Sequence, residues 1–293
     1  MSANGQSGSR RTADAPIFLS MIKHTIPGFS LTFGISAFVL TAILLVPLGA
    51  LIVQAFNGGW DHLWQVISAP RVVAAYRLSL STALIAALVN GVLGALTAWV
   101  LARYSFPGKR LVDGIIDLPF ALPTAVAGIA LTSLYAPEGW IGELLAKVGI
   151  PAVYNRLGIT IALIFVGFPF VVRTLQPVLL ALPGDVEEAA ATLGANRWQV
   201  ITKVLFPSAF PALLAGVALA FGRGVGEYGS IVFISGNLPF KTEIAPLLVV
   251  SKLEQFDYSG AAAIGLVMVV FSLLFTGGIF ALQGWATRRT GGN

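Results

Sequence analysis

Three ionisable side chains lie inside long apolar runs, which makes them the first candidates for a chemical role. They are Arg173, Arg223 and Glu227. An ionised side chain in an apolar environment is costly unless it is paired, so each of the three must face protein or water. Arg223 and Glu227 are four residues apart, which places them on one face of a helix, where they can pair with each other.

A guanidinium beside a transport pathway would offer a forked, positively charged donor to an oxyanion, with Glu227 limiting how tightly the anion is held. The alternative is a self-neutralised pair that stabilises helix packing. Arg173 could line the same pathway or contact a partner subunit, and Asn90, inside another apolar run, is predicted to make an interhelical hydrogen bond. These four residues are the candidate pathway residues.

Covalent chemistry has little support, and no catalytic or metal-ligating residue is assigned. The chain has no cysteine and only two histidines, His24 and His62, on opposite sides of the first apolar run. Thiolate sites and a histidine-rich metal site are therefore not expected. The nearest fragment to a phosphate-binding loop, Gly108-Lys109-Arg110, lacks the following hydroxyl that would hold magnesium. Glu227 is the sole acid deep in an apolar run, which argues against a membrane-embedded enzyme.

The composition indicates a membrane protein. The mean hydropathy is +0.85, and only 11% of the 293 residues are charged, whereas about a quarter are charged in soluble domains. The basic residues are dispersed and cluster at the ends of apolar runs, which argues against nucleic acid as a partner and for the lipid bilayer.

Six apolar stretches are long enough to cross a hydrocarbon core of about 30 Å as helices. The expected fold is all-α, with these spans: Ser30–Phe56, Leu78–Ala102, Ile115–Tyr135, Gly158–Leu182, Ser208–Ile234 and Gly260–Leu282. The predicted domains are a cytoplasmic tail and interfacial segment (1–27), a six-helix transmembrane domain (28–285) and a cytoplasmic C-terminal tail (286–293).

The distribution of Lys and Arg predicts the orientation. Ten lie on the side of the termini: Arg10, Arg11, Lys23, Arg103, Lys109, Arg110, Arg197, Lys203, Arg288 and Arg289. Six lie on the other side: Arg71, Arg77, Lys147, Arg156, Lys241 and Lys252. The positive-inside rule then places both termini and the loop 183–207 in the cytoplasm.

The sequence of the loop 183–207 predicts a helix-turn-helix outside the bilayer. Asp185 is a candidate N-cap, and Glu187 and Glu188 occupy the first turn, where the helix dipole favours anions. Gly194 suits a left-handed cap, a second helix is expected to end near Phe206, and Pro207 is expected to begin the return to the membrane. The apolar alanines Ala189, Ala190 and Ala191 suit insertion into a cleft of another protein. The alternative is a merely amphipathic loop helix.

The order Glu188-Ala189-Ala190-x3-Gly194-x9-Val204-x-Phe206-Pro207 resembles the coupling loop of ATP-binding-cassette (ABC) importer permeases, which usually ends Ile-x-Leu-Pro. The resemblance implies the type I importer permease fold, and it implies that Glu188, Ala189, Ala190, Gly194 and Pro207 couple the chain to an ATPase. In that family the ATP-driven closure of two ATPases switches two permeases between inward-facing and outward-facing states.

Three further segments resemble the T-type permease subunit of the sulfate/thiosulfate branch: 118–128, 226–237 and 253–258. This resemblance implies the bacterial inner membrane, a W-type permease subunit, two ATPase subunits that bind ATP and Mg, and a periplasmic sulfate- or thiosulfate-binding protein. No cofactor is expected in this chain. A molybdate or tungstate permease shares the architecture, and an ion-coupled secondary anion transporter is the rival, although it would have no use for a docking loop.

Overall fold

The computed structural model describes residues 29–182 and 184–290, and every regular element in those ranges is a helix. The chain divides into two units, Met1–Ala50 and Leu51–Asn293. The predicted tail 1–27 and Pro183 of the predicted loop lie outside the described residues.

The helices are numbered in chain order, and two π-helical turns separate some of them. They are α1 (Phe29–Leu40), a π turn (Thr41–Leu45), α2 (Val46–Ala55), α3 (Gly59–Ser68), α4 (Pro70–Arg103), α5 (Lys109–Ile116), α6 (Leu118–Ala121), α7 (Thr124–Tyr135), α8 (Trp140–Lys147), α9 (Arg156–Ala181), α10 (Gly184–Thr192), α11 (Arg197–Val200), a second π turn (Ile201–Leu205), α12 (Phe206–Val225), α13 (Ile231–Ile234), α14 (Ala245–Glu254) and α15 (Tyr258–Thr290).

Five helical stretches in the described residues are long and apolar enough to cross a membrane: Leu31–Ala55, Pro70–Arg103, Arg156–Ala181, Arg197–Val225 and Tyr258–Gly284. They overlap five of the six expected spans. The all-α membrane fold predicted from the sequence is therefore confirmed.

The third expected span, Ile115–Tyr135, is broken into pieces instead of forming one helix. Its parts are the end of α5, the single turn α6 and the twelve residues of α7, and α7 alone is only about 18 Å long. Two prolines explain the breaks. The residue before Pro123, Leu122, is extended at ψ 136°, because a following proline disfavours helical backbone.

The fifth expected span, Ser208–Ile234, is also displaced. Its helix already begins in the loop at Arg197, continues to Val225 and stops at a glycine-rich segment before the short helix α13. Glycine is the weakest helix former after proline. The four glycines between positions 222 and 229 therefore favour an end to the helix where hydropathy alone predicted that it would continue.

Close packing of small residues holds the centre of the second unit together. A β-carbon on Gly94 of α4 would lie 2.8 Å from Val171 Cβ of α9, and one on Gly216 of α12 would lie 2.9 Å from Val171 Cα. Three helices thus meet at Val171 with no space for larger side chains, as is typical of membrane bundles.

Candidate functional site

The loop forms a helical hairpin, defined here as α10, the turn 193–196 and α11. The Ala195 amide donates to Ala190 O at 3.0 Å and the Gly194 amide donates to Ala191 O at 3.0 Å, which together make a Schellman motif. Gly194 has φ +83°, the left-handed conformation that glycine adopts without strain. The predicted glycine cap is present. Asp185 is the second residue of α10, so the predicted N-cap is wrong.

The second arm of the hairpin is continuous with a span. Asn196 begins it with a capping box, in which its Oδ1 accepts from the Gln199 amide and its own amide donates to Gln199 Oε1, both at 2.9 Å. The helix then runs through the π turn Ile201–Leu205 into α12. The sequence predicted that the second helix ends near Phe206 and that Pro207 begins the return to the membrane. The structure differs, because the helix continues through Pro207. Pro207 lies within the helix, two residues after the π turn, where the wider winding accommodates a residue without an amide hydrogen.

The outer surface of the hairpin is exposed and partly apolar. Glu188 and Ala189 are exposed and Ala190 is half-buried. Two large side chains that the sequence analysis overlooked are the most prominent, since Leu193 is 88% exposed and Trp198 is 72% exposed. Their position on either side of Gly194 is the signal that could have identified them.

An ion pair attaches the hairpin to the long helix α4. Arg103 Nη2 lies 2.6 Å from Glu187 Oε1, and the Arg103 guanidinium also lies over the Trp99 ring, 5.8 Å from its centroid. A cleft of about 610 Å³ runs between this helix end and the hairpin. The hairpin is therefore linked to two spans, through Arg103 to α4 and through its own backbone to α12.

Arg223 and Glu227 form the predicted pair, with Arg223 Nη1 2.6 Å from Glu227 Oε2. Glu227 is 1% exposed, and its other oxygen accepts from the amide and the hydroxyl of Ser230, at 2.9 and 3.0 Å. The sequence predicted that both residues lie well away from the helix ends, but the structure places them at the end of a helix. Arg223 lies in the last turn of α12 and Glu227 lies beyond its end. The partner Ser230 was not predicted, although its place three residues after Glu227 suits such a turn.

Arg173 has no free donor. Its Nε and Nη2 form a forked pair with both carboxylate oxygens of Asp117 at 2.7 Å. Nη1 donates to Asp113 Oδ1 and Gln176 Oε1, and Nη2 also donates to Asp113 O. These bonds occupy the five N–H groups of a guanidinium. The hydrogen bond from Arg173 holds the pKa of Asp113, outside the spans, below its usual value. Arg173 thus joins α9 to the broken third span, and this geometry gives no support to its predicted pathway role.

Asn90 is fully buried in α4, but its amide has no hydrogen-bond partner. The predicted interhelical hydrogen bond is therefore wrong. A β-carbon on Gly167 of α9 would lie 2.6 Å from Asn90 Nδ2, so the amide occupies space that this glycine leaves open. Of the four candidate pathway residues, the structure brings together only Arg223 and Glu227. Within the described ranges no three His, Cys, Asp or Glu side chains gather as a metal site.

Comparison with solved structures identifies the fold. A bacterial ABC transporter involved in the import of the acidic polysaccharide alginate superposes with a TM-score of 0.71 at 18% identity, covering 91% of this chain and 98% of that one. The methionine ABC transporter in an inward-facing conformation superposes with a TM-score of 0.58 at 16% identity, covering 74% and 96%. These likenesses show the type I importer permease fold.

Comparison of sequences identifies the relatives. The chain is 48% identical to the sulfate transport system permease protein CysT of Escherichia coli over 94% of this chain and 100% of the relative. It is 47% identical to the protein of that name from Synechocystis over 88% and 91%. Residues 90–291 match the family described as binding-protein-dependent transport system inner membrane component. The chain therefore belongs to the inner-membrane permease components of binding-protein-dependent ABC importers.

Proposed function

We propose that this chain is the permease subunit of an ATP-driven importer that moves sulfate or thiosulfate across the bacterial inner membrane. The observation that carries the proposal is the exposed, capped hairpin, continuous with a span, in a chain 48% identical to a sulfate permease. A chain with such a docking element converts the motion of a neighbour into a motion of its own helices. The sulfate assignment rests on the relatives.

The hairpin docks on a separate ATPase subunit, which binds ATP and Mg. Glu188, Ala189 and Ala190 form the contact surface, and Leu193 and Trp198 supply its large apolar anchors. Exposed tryptophan is enriched among residues that dominate interface energies. The full assembly contains a W-type permease subunit, two ATPase subunits and a periplasmic binding protein, and both termini of this chain are cytoplasmic.

The continuous helix Arg197–Val225 transmits the motion. Its 29 residues span about 43 Å, so a tilt of the hairpin displaces Arg223 and Glu227 at the opposite end. Glu227 is fixed to Ser230 in the segment after the helix, and α7 packs against that segment, since a β-carbon on Gly128 would lie 2.6 Å from Ser230 O. Movement of α12 therefore reaches the broken third span.

Reconstitution of the transporter tests the proposal. The complex is purified from its native membrane with the subunits that accompany it, placed in liposomes with its binding protein, and supplied with radiolabelled sulfate. We expect uptake to require ATP and to persist when an ionophore removes the ion gradients. Uptake that stops when the ionophore is added and does not depend on ATP would support an ion-coupled secondary transporter instead.

Competition identifies the solute. Unlabelled sulfate and thiosulfate should each suppress the uptake of labelled sulfate, whereas molybdate and tungstate should do so only at much higher concentration. Stronger competition by molybdate would assign the chain to the molybdate branch. A purified complex without an ATPase subunit would contradict the role of the hairpin.

A further inference from the structure

A cavity at the end of the bundle opposite the hairpin contains arginines that no acid neutralises. Its volume is about 970 Å³, and its lining includes Arg77 of α4, Arg156 of α9 and no acidic residue. This volume is at the upper end of the roughly 300–1,000 Å³ found for small-molecule sites. We propose that the cavity is a vestibule that collects tetrahedral oxyanions before they enter the pathway. The identity of the oxyanion rests on the proposed function.

The positions of the two arginines along their helices place them away from the hairpin. Arg77 precedes Arg103, which contacts the hairpin, by 26 residues on one helix, or about 39 Å. Arg156 begins the helix that ends at Ala181, next to the hairpin, about 37 Å away. The vestibule therefore lies on the face from which a delivered solute would arrive.

Arg71 near this face and Arg173 and Arg223 within the spans are paired, which makes Arg77 and Arg156 distinctive. Arg71, less than two turns before Arg77 on α4, binds both oxygens of Glu243 at 2.8 and 2.6 Å, and Arg223 is paired with Glu227. In the described part of the chain, neither Arg77 nor Arg156 forms an ion pair or side-chain hydrogen bond, and both are exposed. Their guanidinium donors remain available for a ligand, and an unpaired guanidinium suits an oxyanion with several acceptor oxygens.

Local structure raises the positive potential further. Arg156 is the first residue of α9, where the helix dipole is also positive, so the helix offers this cation no compensation. The adjacent Asn155 caps that helix by accepting from the Gly158 amide at 3.0 Å. The serine hydroxyls of the lining, Ser68 and Ser81, donate to backbone carbonyls of their own helices. Recognition in the vestibule therefore falls to the two guanidinium groups.

Part of the cavity rim is fixed by a tight turn. Phe240 lines the cavity at φ +61°, an unusual conformation for a large side chain. The turn is held because Leu238 O accepts from the amides of Lys241, Thr242 and Glu243, at 3.1, 2.9 and 3.1 Å. The same turn places Glu243 on Arg71. Glu243 is thus held on Arg71 and does not line the vestibule.

Arginine-selective labelling tests the vestibule without relying on transport. The purified complex in neutral detergent is treated with phenylglyoxal, and modification of each arginine is followed by mass spectrometry. We expect sodium sulfate to slow the labelling of Arg77 and Arg156 by at least about threefold relative to sodium chloride of equal ionic strength. Arg110, an exposed arginine near the hairpin end, is the internal control and should label equally in both salts. If all three arginines labelled at the same rate in sulfate as in chloride, the vestibule proposal would be overturned.

A lipid phosphate is the competing source of a tetrahedral oxyanion. A parallel sample receives phosphatidylglycerol in place of sulfate. Protection by the lipid without protection by sulfate would assign the cavity to a headgroup and overturn the proposal. Protection by sulfate in lipid-free detergent would support it.

Transport by charge-removing variants separates this inference from the proposed function. With wild-type uptake established, the double variant Arg77→Gln/Arg156→Gln should lower kcat/KM for sulfate by about tenfold at low ionic strength and by much less at high ionic strength, because screening removes electrostatic attraction. Arg110→Gln carries the same charge change per site and should have no such effect. If kcat/KM for sulfate depended on ionic strength in the double variant as it does in the wild type, the vestibule proposal would be contradicted. The assignment of the chain as a transporter subunit would not be affected.

Discussion

At the scale of single residues, the burial cost of charge predicted that Arg173 must face protein or water, but it did not identify the partners. Asp113 and Asp117 precede Arg173 by 60 and 56 residues, and no local pattern links side chains so far apart in the sequence. Arg223 and Glu227 were predictable as a pair because four residues separate them. Local spacing thus revealed one ion pair, and the fold was needed to reveal the other.

Substitution of Arg173 by lysine should weaken the join between α9 and the third span. Lysine keeps the charge but lacks the forked geometry that binds both oxygens of Asp117. We expect a loss of about 1.5–3 kcal/mol, the magnitude for hydrogen bonds to charged groups. A lower apparent melting temperature of the purified complex would measure it. Arg110→Lys, at an exposed arginine, is the matched control. Equal melting of the two variants would contradict a joining role for Arg173.

At the scale of elements, the sequence predicted the hairpin well because its signals are local. Gly194 ends the first arm as expected, and the second arm begins at Arg197, within the predicted start. The end of the second arm was wrong because Pro207 was read as a stop, whereas the preceding π turn allows the helix to pass it. The third span was wrong only as one continuous helix, because its two prolines, Pro119 and Pro123, break it into the end of α5, α6 and α7.

The conformation of Gly194 makes a specific prediction for coupling. A β-carbon there would meet no atom within 4 Å, so only the backbone conformation demands glycine. Gly194→Val should reduce ATP-driven uptake by about 5- to 30-fold, because the left-handed conformation costs a side-chain-bearing residue about 1–2 kcal/mol. Gly194→Asn should retain most of the uptake, since asparagine tolerates that conformation.

Gly184→Ala supplies the matched control in the same hairpin. Its β-carbon also meets nothing within 4 Å, but the residue is helical. Uptake should be close to the wild-type rate. Similar activity in the valine and asparagine variants of Gly194 would show that the left-handed turn is not what coupling requires.

At the scale of the whole molecule, transport requires that motion at the hairpin reach the opposite end of the bundle. α12, which is continuous with the hairpin, packs closely against α9 at Val171, and α4 packs against the same residue. Composition predicted a bundle of helices but could not predict this junction. Glycines such as Gly94, Gly216 and Gly277 look alike in sequence, and only their neighbours in space distinguish them.

A methyl group at the junction should disturb the whole bundle. Gly216→Ala would place its β-carbon 2.9 Å from Val171 Cα, a backbone atom that moves only if α9 moves. Overpacking of this kind costs about 1–3 kcal/mol, so we expect both a lower melting temperature of the complex and slower ATP-driven uptake. Gly277→Ala in α15, where a β-carbon meets nothing within 4 Å, should change neither. If Gly216→Ala matched Gly277→Ala in melting and uptake, the three helices would not depend on close contact at Val171, and the transmission of hairpin motion would need another route.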